Sequence, residues 1–416
     1  MSFVEADFTT SPVAKDNPIP IYEEFTAMGD SYASGVGAGN SLQTFSLCYR
    51  YSNAYAEQLQ RKDFPNLKLN FPACAGRLFP QIRAQQLGDD WGKAPGFVTI
   101  SMGGNDIGFK ELVTKCIYGI NLFAGRTPCQ TLIDRSRAKL ESGQIEQGAV
   151  DTLNAIMKKA RDQKLANEFK IYVLGYARFF NDQTTQCNNV RGLRVPRFLR
   201  LSKPELLTVD LRKQLNDLAV KLNLALLAAT KRATNPGQIV WTPIDDLFNT
   251  HRFCDRDEPN PNDPQTWFFT FYADDVAPTG STPAASGKSR LAKRLPGPGP
   301  APPPIPHVDD PAADPKAEDP PPTVGDIKAE AFLRSIPKIK AILDDTVEEG
   351  VSEDEFIKLV LDAANKEPDK EVQGVNNVKV FHPRSIGHQA IAARIREKIS
   401  DPDVTVRLYG DKAKGS

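Results

Sequence analysis

The chain has 416 residues, with 52 Lys+Arg balanced by 52 Asp+Glu. That length supports a large buried core and about one to three domains, and zero net charge argues against a partner such as nucleic acid, which demands a basic surface. No apolar run reaches the length needed to span a bilayer. Met1-Ser-Phe-Val-Glu-Ala is acidic and lacks the hydrophobic centre of a signal peptide, which leaves a mature form or a cytosolic protein as the readings.

Residues 1–20 read as an N-terminal extension. The apolar run Phe25–Met28 then predicts a strand, and Gly29-Asp30-Ser31 at its end opens a glycine-rich turn. A serine at such a place has an exposed hydroxyl, with backbone N–H groups free to point at whatever it attacks. Gly35-Val-Gly-Ala-Gly follows; it lacks the dinucleotide-binding spacing and lets the chain approach a substrate closely. Further strands are predicted at Phe97–Ser101, Lys170–Leu174 and Ile239–Thr242, and helices at Ser52–Arg61, Val150–Asp162, Pro204–Arg232 and Ser385–Ile399. Alternating strands and helices imply a three-layer α/β/α sandwich around a central parallel sheet, with the active site at the carboxyl ends of the strands. Ser31 and the Gly103-Gly104-Asn105-Asp106 turn each follow a strand directly, so both fall on that edge.

The pattern breaks after residue 275. Residues 276–325 are rich in Pro, Gly and Ser, with Pro302-Pro303-Pro304 and Pro320-Pro321-Pro322, and are expected to form a disordered strap. Residues 326–375 carry two helical patterns, Phe332, Ile336, Ile339 and Leu343, then Phe356, Leu359, Val360 and Ala363, read as a helical insertion. The domain map is therefore a core at 21–275, the strap, the insertion, and a return to the core at 376–410.

A serine hydroxyl needs a base to take its proton, and the chain has four histidines: His251, His307, His382 and His388. His307 lies in the strap, His251 in a loop before Cys254, and His388 in the last helix. His382 precedes a proline, which keeps it in an extended loop able to reach the sheet edge. The six cysteines, Cys48, Cys74, Cys116, Cys129, Cys187 and Cys254, include no C-x-x-C pair, so a zinc site is not expected; spacing alone leaves their pairing open, with six reduced buried thiols as the alternative. The G-x-S-x-G elbow, the P-loop and the H-E-x-x-H helix are absent from the sequence.

Three ordered blocks make the reading specific: Met28-Gly-Asp-Ser31, Gly103-Gly-Asn-Asp106 and Phe381-His-Pro383. Together with Cys48-Tyr-Arg-Tyr, Ala73-Cys-Ala-Gly76 and His251-Arg-Phe-Cys254, they resemble the secreted, disulfide-containing branch of the GDSL or SGNH hydrolases. The resemblance runs from about Phe25 to Trp267 and resumes at Val380. It implies a flavodoxin-like fold and a carboxylic ester hydrolase, an esterase or lipase. Ser31 is the implied nucleophile and His382 its base, with an oxyanion hole from the Ser31 and Gly76 N–H groups and the Asn105 side chain. It also implies the disulfides Cys48–Cys74, Cys116–Cys129 and Cys187–Cys254, hence an oxidising, extracellular location. No metal or organic cofactor is implied, and a monomer acting on a small-molecule, lipid or polysaccharide ester is expected.

The alternative is a catalytically silent binding protein on the same fold. One position departs from the family: where an aspartate often stands three residues before the histidine, this chain has Lys379. The expectation is that the Lys379 carbonyl, or one close by, orients the ring, with Asp274 and Asp275 as fallback carboxylates. Without the resemblance, Gly76 reads as a turn glycine, Asn105 as a turn or cap residue with Asp106 as its rival, and Asp30 as structural.

Overall fold

The computed structural model describes residues 23–42, 48–118, 127–165, 169–193, 204–255, 265–270, 275 and 380–400. The N-terminal extension, the strap, the helical insertion, His307, Asp274 and Lys379 lie outside the described residues.

The polypeptide forms β1 (Glu24–Gly29), a short α1 (Ser31–Ser34), α2 (Tyr55–Lys62), β2 (Lys68–Asn70), α3 (Phe79–Gln85) and β3 (Pro95–Ser101). It continues through α4 (Phe109–Leu112), α5 (Cys129–Glu141), α6 (Gln144–Asp162), β4 (Lys170–Leu174), α7 (Val209–Arg232), β5 (Ile239–Thr242) and α8 (Ser385–Ile399). The five strands are parallel, in the order β2-β1-β3-β4-β5. Right-handed crossovers in that order send α2 to one face and α3, α5, α6 and α7 to the other. The packing agrees: α8 lies against α2, while α6 lies against α3, α5 and α7. The molecule is thus the α/β sandwich expected from the alternation of elements.

Every residue of β1 and β3 is buried, as a central parallel sheet covered on both faces requires. Phe25 and Phe97 stack at 4.9 Å, and Phe97 meets Tyr172 edge-on at 5.8 Å, so aromatic side chains of β1, β3 and β4 join across the sheet. Each such ring contributes about 1.5–3 kcal/mol by leaving water. On α7, Leu211, Leu215, Leu218, Leu222 and Leu226 form the buried stripe.

Three helix starts differ from the sequence expectation: α6 begins at Gln144 rather than Val150, and two others are displaced for local reasons. The helix expected from Pro204 begins at Val209, because the Thr208 hydroxyl caps it by accepting the Leu211 N–H at 3.2 Å. Glu205 and Leu207 instead donate to the carbonyls of Cys116 and Val190. The helix expected from Ser52 begins at Tyr55, because the N–H groups of Tyr51, Ser52 and Asn53 go to the carbonyls of Ser34, Asn40 and Ala38 and hold the glycine-rich loop. Strand β2, three residues long, and helices α3 and α5 were not expected from the sequence.

All six cysteines are paired, as Cys48–Cys74, Cys116–Cys129 and Cys187–Cys254, the pattern the family resemblance implies. The last bridge closes the longest loop, with a separation of 67 residues. Chain-entropy arguments assign such a loop about 4 kcal/mol. Replacing Cys187 and Cys254 together by serine is expected to lower Tm by roughly 10 °C in calorimetry. An unchanged Tm, or six thiols titrating in denaturant without reductant, would contradict the pairing.

Candidate active site

The site is assembled where the strand order reverses. β1 lies between β2 and β3, so the loops leaving β1 and β3 diverge to opposite faces and open a crevice at the carboxyl edge. Ser31 leaves β1 and Asn105 leaves β3, and both line that edge.

The turn carrying Ser31 is held from several sides. Gly29 ends β1 at φ 119°, and a Cβ there would come within 2.0 Å of the Ser101 carbonyl oxygen, so no other residue fits. Its N–H donates to Gln86 Oε1 at 2.7 Å and its carbonyl accepts from Gln86 Nε2 at 2.8 Å. The Asp30 N–H donates to the Ser101 carbonyl at 3.1 Å, which carries the ladder one residue past the strand. Asp30 then caps α1: its Oδ1 accepts from the Tyr32 N–H at 3.1 Å and from Ser101 Oγ at 2.7 Å, and its Oδ2 accepts from the Tyr176 hydroxyl. Burial pushes the Asp30 carboxyl up, against these hydrogen bonds. Ser31 itself is half-buried at the first position of α1.

The loop carrying Gly76 is stitched to the same strand end. Ala73 and Cys74 donate to the carbonyls of Ala27 and Gly29 at 3.2 and 3.0 Å, and Ala75 donates to the Cys48 carbonyl at 3.0 Å beside the Cys48–Cys74 bridge. Gly76 is exposed, at φ 76°, with open space where a Cβ would stand. The positive φ supports the turn-glycine reading, and the open side leaves room for a ligand against its backbone.

Asn105 joins this loop to the β3 turn. Its Nδ2 donates to the Arg77 carbonyl at 3.2 Å, one residue past Gly76. A side-chain amide has two N–H groups, so a second one is left for another acceptor. The capping role falls to Asp106, whose Oδ1 accepts the Phe79 N–H at the start of α3 at 3.1 Å. Burial pushes the Asp106 carboxyl up to about 6, with the nearby Asp30 charge adding to the rise.

His382 reaches the edge on a loop pinned by residues 267–269. Phe381 donates to the Phe269 carbonyl and Phe269 to the His382 carbonyl, both at 2.9 Å, and Arg384 donates to the Trp267 carbonyl at 2.7 Å. Phe381 stands at φ 62°, a left-handed conformation that costs a non-glycine residue about 1–3 kcal/mol. It is held there by rings on several sides, with Phe179 at 5.1 Å, Phe253 at 5.1 Å and Phe180 at 5.7 Å. Tyr32, the neighbour of Ser31, donates its hydroxyl to the Phe381 carbonyl at 3.3 Å, and its ring centroid is 5.8 Å from that of His382. The His382 Nδ1 lies 3.0 Å from the Val380 carbonyl. A carbonyl only accepts, so Nδ1 carries the proton and Nε2 presents its lone pair.

The fallback carboxylate Asp275 is placed elsewhere. Its Oδ1 accepts the Ser385 N–H at 2.8 Å, and its Oδ2 accepts from the Gly39 N–H at 2.7 Å and from the Ser385 hydroxyl, so it caps α8 rather than orienting His382. The carbonyl "close by" Lys379 is that of Val380. His251 is structural: its Nδ1 is 2.7 Å from the Gln265 carbonyl and its ring stacks on Trp267 at 3.8 Å.

His388 is fully buried, and neither ring nitrogen has a hydrogen-bond partner among the described residues. Burial, with a smaller push from His382, lowers it to about 3. The unfolded chain therefore takes up this proton first, so stability is complete above about pH 6.5 and falls as pH drops toward 3, by roughly 4–5 kcal/mol in the limit. His388→Leu is expected to flatten the fall of Tm between pH 7 and pH 5 while leaving Tm at pH 7 equal or higher. An unchanged pH slope would assign the acid sensitivity to other groups.

Sequence reasoning missed two participants, Tyr176 and Gln86. Tyr176 follows β4 as Ser31 follows β1, so its place at a strand end was the available signal.

Fold and site together define an α/β protein with a strand-end serine, a backbone-oriented histidine and an asparagine amide along one sheet edge. No protein-family model matches the chain. A lipase of Streptomyces rimosus is 32% identical over 159 residues, which are 38% of this chain and 53% of the relative. Lipase 1 of Streptomyces coelicolor is 32% identical over 162 residues, 39% of this chain and 55% of the relative. The chain thus spans about half the length of the curated relatives it matches. Among solved structures, an extracellular lipase from Streptomyces rimosus aligns with a TM-score of 0.44 at 23% identity, over 60% of this chain and 88% of that one. A phospholipase A1 from Streptomyces albidoflavus gives 0.44 and 23% over 63% and 90%. Both curated relatives are named lipases, a likeness that supports the resemblance to the GDSL/SGNH hydrolases read from the sequence.

Proposed function

We propose that the protein is a carboxylic ester hydrolase working through an acyl-enzyme on Ser31. His382 takes the serine proton at Nε2 and returns it to the leaving alcohol, then activates the water that releases the acid. The Ser31 and Gly76 N–H groups and the free N–H of Asn105 receive the oxyanion. The observation that supports this reading is that Ser31 and Asn105 follow adjacent strands, with Asn105 bonded to the Arg77 carbonyl beside Gly76 and the His382 ring 5.8 Å from that of Tyr32 beside Ser31, in a chain whose relatives are named lipases. The catalytic core comprises residues 21–275 and 376–410. Three disulfides support work outside the reducing cytosol. Among the described residues no helix is long and apolar enough to cross a membrane.

A catalytically silent protein on the same fold would share this arrangement, so activity decides. Purified protein is expected to hydrolyse a nitrophenyl ester series with a defined acyl-length optimum, and a fluorophosphonate is expected to label Ser31. No turnover across the series, with no label on Ser31, would favour the silent reading.

A further inference from the structure

We propose that Tyr176 is a positioning residue that sets the Asn105 turn against the Ser31 turn. The inference rests on the hydrolase reading above. The Tyr176 hydroxyl donates to Asp30 Oδ2, on the residue before Ser31, and accepts the Gly104 N–H at 3.3 Å, on the residue before Asn105. One oxygen therefore bridges the neighbour of the nucleophile and the neighbour of the oxyanion donor. The ring reinforces the bridge: a Cβ on Gly104 would lie 3.2 Å from Tyr176 Cε1, so the Asn105 turn packs against the tyrosine. The ring also meets Tyr32 at 5.0 Å between centroids.

The strut is fixed at its base. The Tyr176 N–H donates to Asn223 Oδ1 and its carbonyl accepts from Asn223 Nδ2, both at 2.8 Å, which anchors its backbone to α7. Tyr176 is buried, and burial next to the Asp30 charge holds its phenol well above the usual range, so it stays a donor. Phenylalanine would keep the packing but could neither donate to Asp30 nor accept from Gly104. The Gly104 N–H, freed from its acceptor, would let the Asn105 amide drift from the place where the oxyanion forms, and an oxyanion donor acts only when preorganised.

The test is a double-mutant cycle on a short nitrophenyl ester. Tyr176→Phe is expected to lower kcat about 10- to 100-fold with KM within about threefold, at a temperature well below its Tm. In an Asn105→Ala background the same change is expected to cost less than about threefold, because a strut has nothing left to position. Should Tyr176→Phe not fold, Asp30→Asn serves instead. Its carbonyl still accepts the Tyr32 N–H and the Ser101 hydroxyl while its amide N–H groups oppose the tyrosine hydroxyl, and the same coupling to Asn105→Ala is expected. A lowered Tm with unchanged kcat, or effects that multiply in full, would overturn the proposal. Ser31→Ala in the same assay separates the two levels. If wild type turns over, Ser31→Ala does not and Tyr176→Phe matches wild type, the strut alone fails; if wild type shows no turnover, the hydrolase reading fails and the strut with it.

Discussion

Replacing Ser31 by alanine is expected to lower kcat for a short nitrophenyl ester by about a million-fold, the scale at which an acyl-enzyme mechanism loses its nucleophile. The fold is expected to survive. Ser31 stands at the start of α1, but the cap is supplied by Asp30, whose Oδ1 takes the Tyr32 N–H. The contacts Ser31 makes within the turn run through its carbonyl, which accepts from Gly35 N–H at 3.1 Å and Ser34 Oγ at 3.3 Å. Alanine keeps that carbonyl and removes only the Oγ, so a melt is expected to shift by no more than about 0.5 kcal/mol in stability. Loss of activity with Tm retained, together with loss of the fluorophosphonate label, identifies a nucleophile. Full activity in the alanine variant would refute the assignment, and a variant that melts early would mean that the oxygen is structural.

The parts of this molecule legible in the sequence are those with short-range causes. β4 and β5 were read to the residue because continuous apolar runs between polar turns have one interpretation in a buried parallel sheet. Ser31 stood out because it sits directly after such a run, whereas Asn105 was singled out only by the family resemblance. β2 was not, since three residues carry no periodicity. The start of α7 was displaced because Thr208 outcompetes the preceding apolar residues as a boundary. Tyr176 was missed for another reason: its place after β4 was a signal, but its partners Asp30 and Gly104 are 146 and 72 positions away, so the sequence did not show what it meets there. The Val380 carbonyl was not singled out, since every residue has one; the resemblance implied only the Lys379 carbonyl or one close by. Asp275 misled for a related reason. An otherwise unassigned carboxylate invites a triad, but α8 begins three residues after His382 and the Ser385 N–H and hydroxyl at its start take that carboxylate first.

His382→Ala is expected to cost kcat on the same scale as the serine change, because the two act as one unit. The ring is the lost element. The His382 carbonyl still accepts the Phe269 N–H, and Phe381 stays clasped by Phe269 and its aromatic neighbours, so the loop keeps its course. Added imidazole is expected to restore a small part of the activity, since the Tyr32 side of the vacated volume remains in place. The companion variant Asp275→Asn tests the orienting group. In a carboxylate-assisted triad, removal of the charge costs about four orders of magnitude by leaving the wrong tautomer. Here Nδ1 faces the Val380 carbonyl at 3.0 Å, and Asp275 is engaged by Ser385 and Gly39. Asp275→Asn is therefore expected to keep kcat within about threefold while lowering Tm, because an amide accepts the α8 N–H less strongly than a carboxylate. A loss of several thousand-fold in Asp275→Asn at a temperature where it is folded would mean that this carboxylate, and not the main chain, holds the histidine.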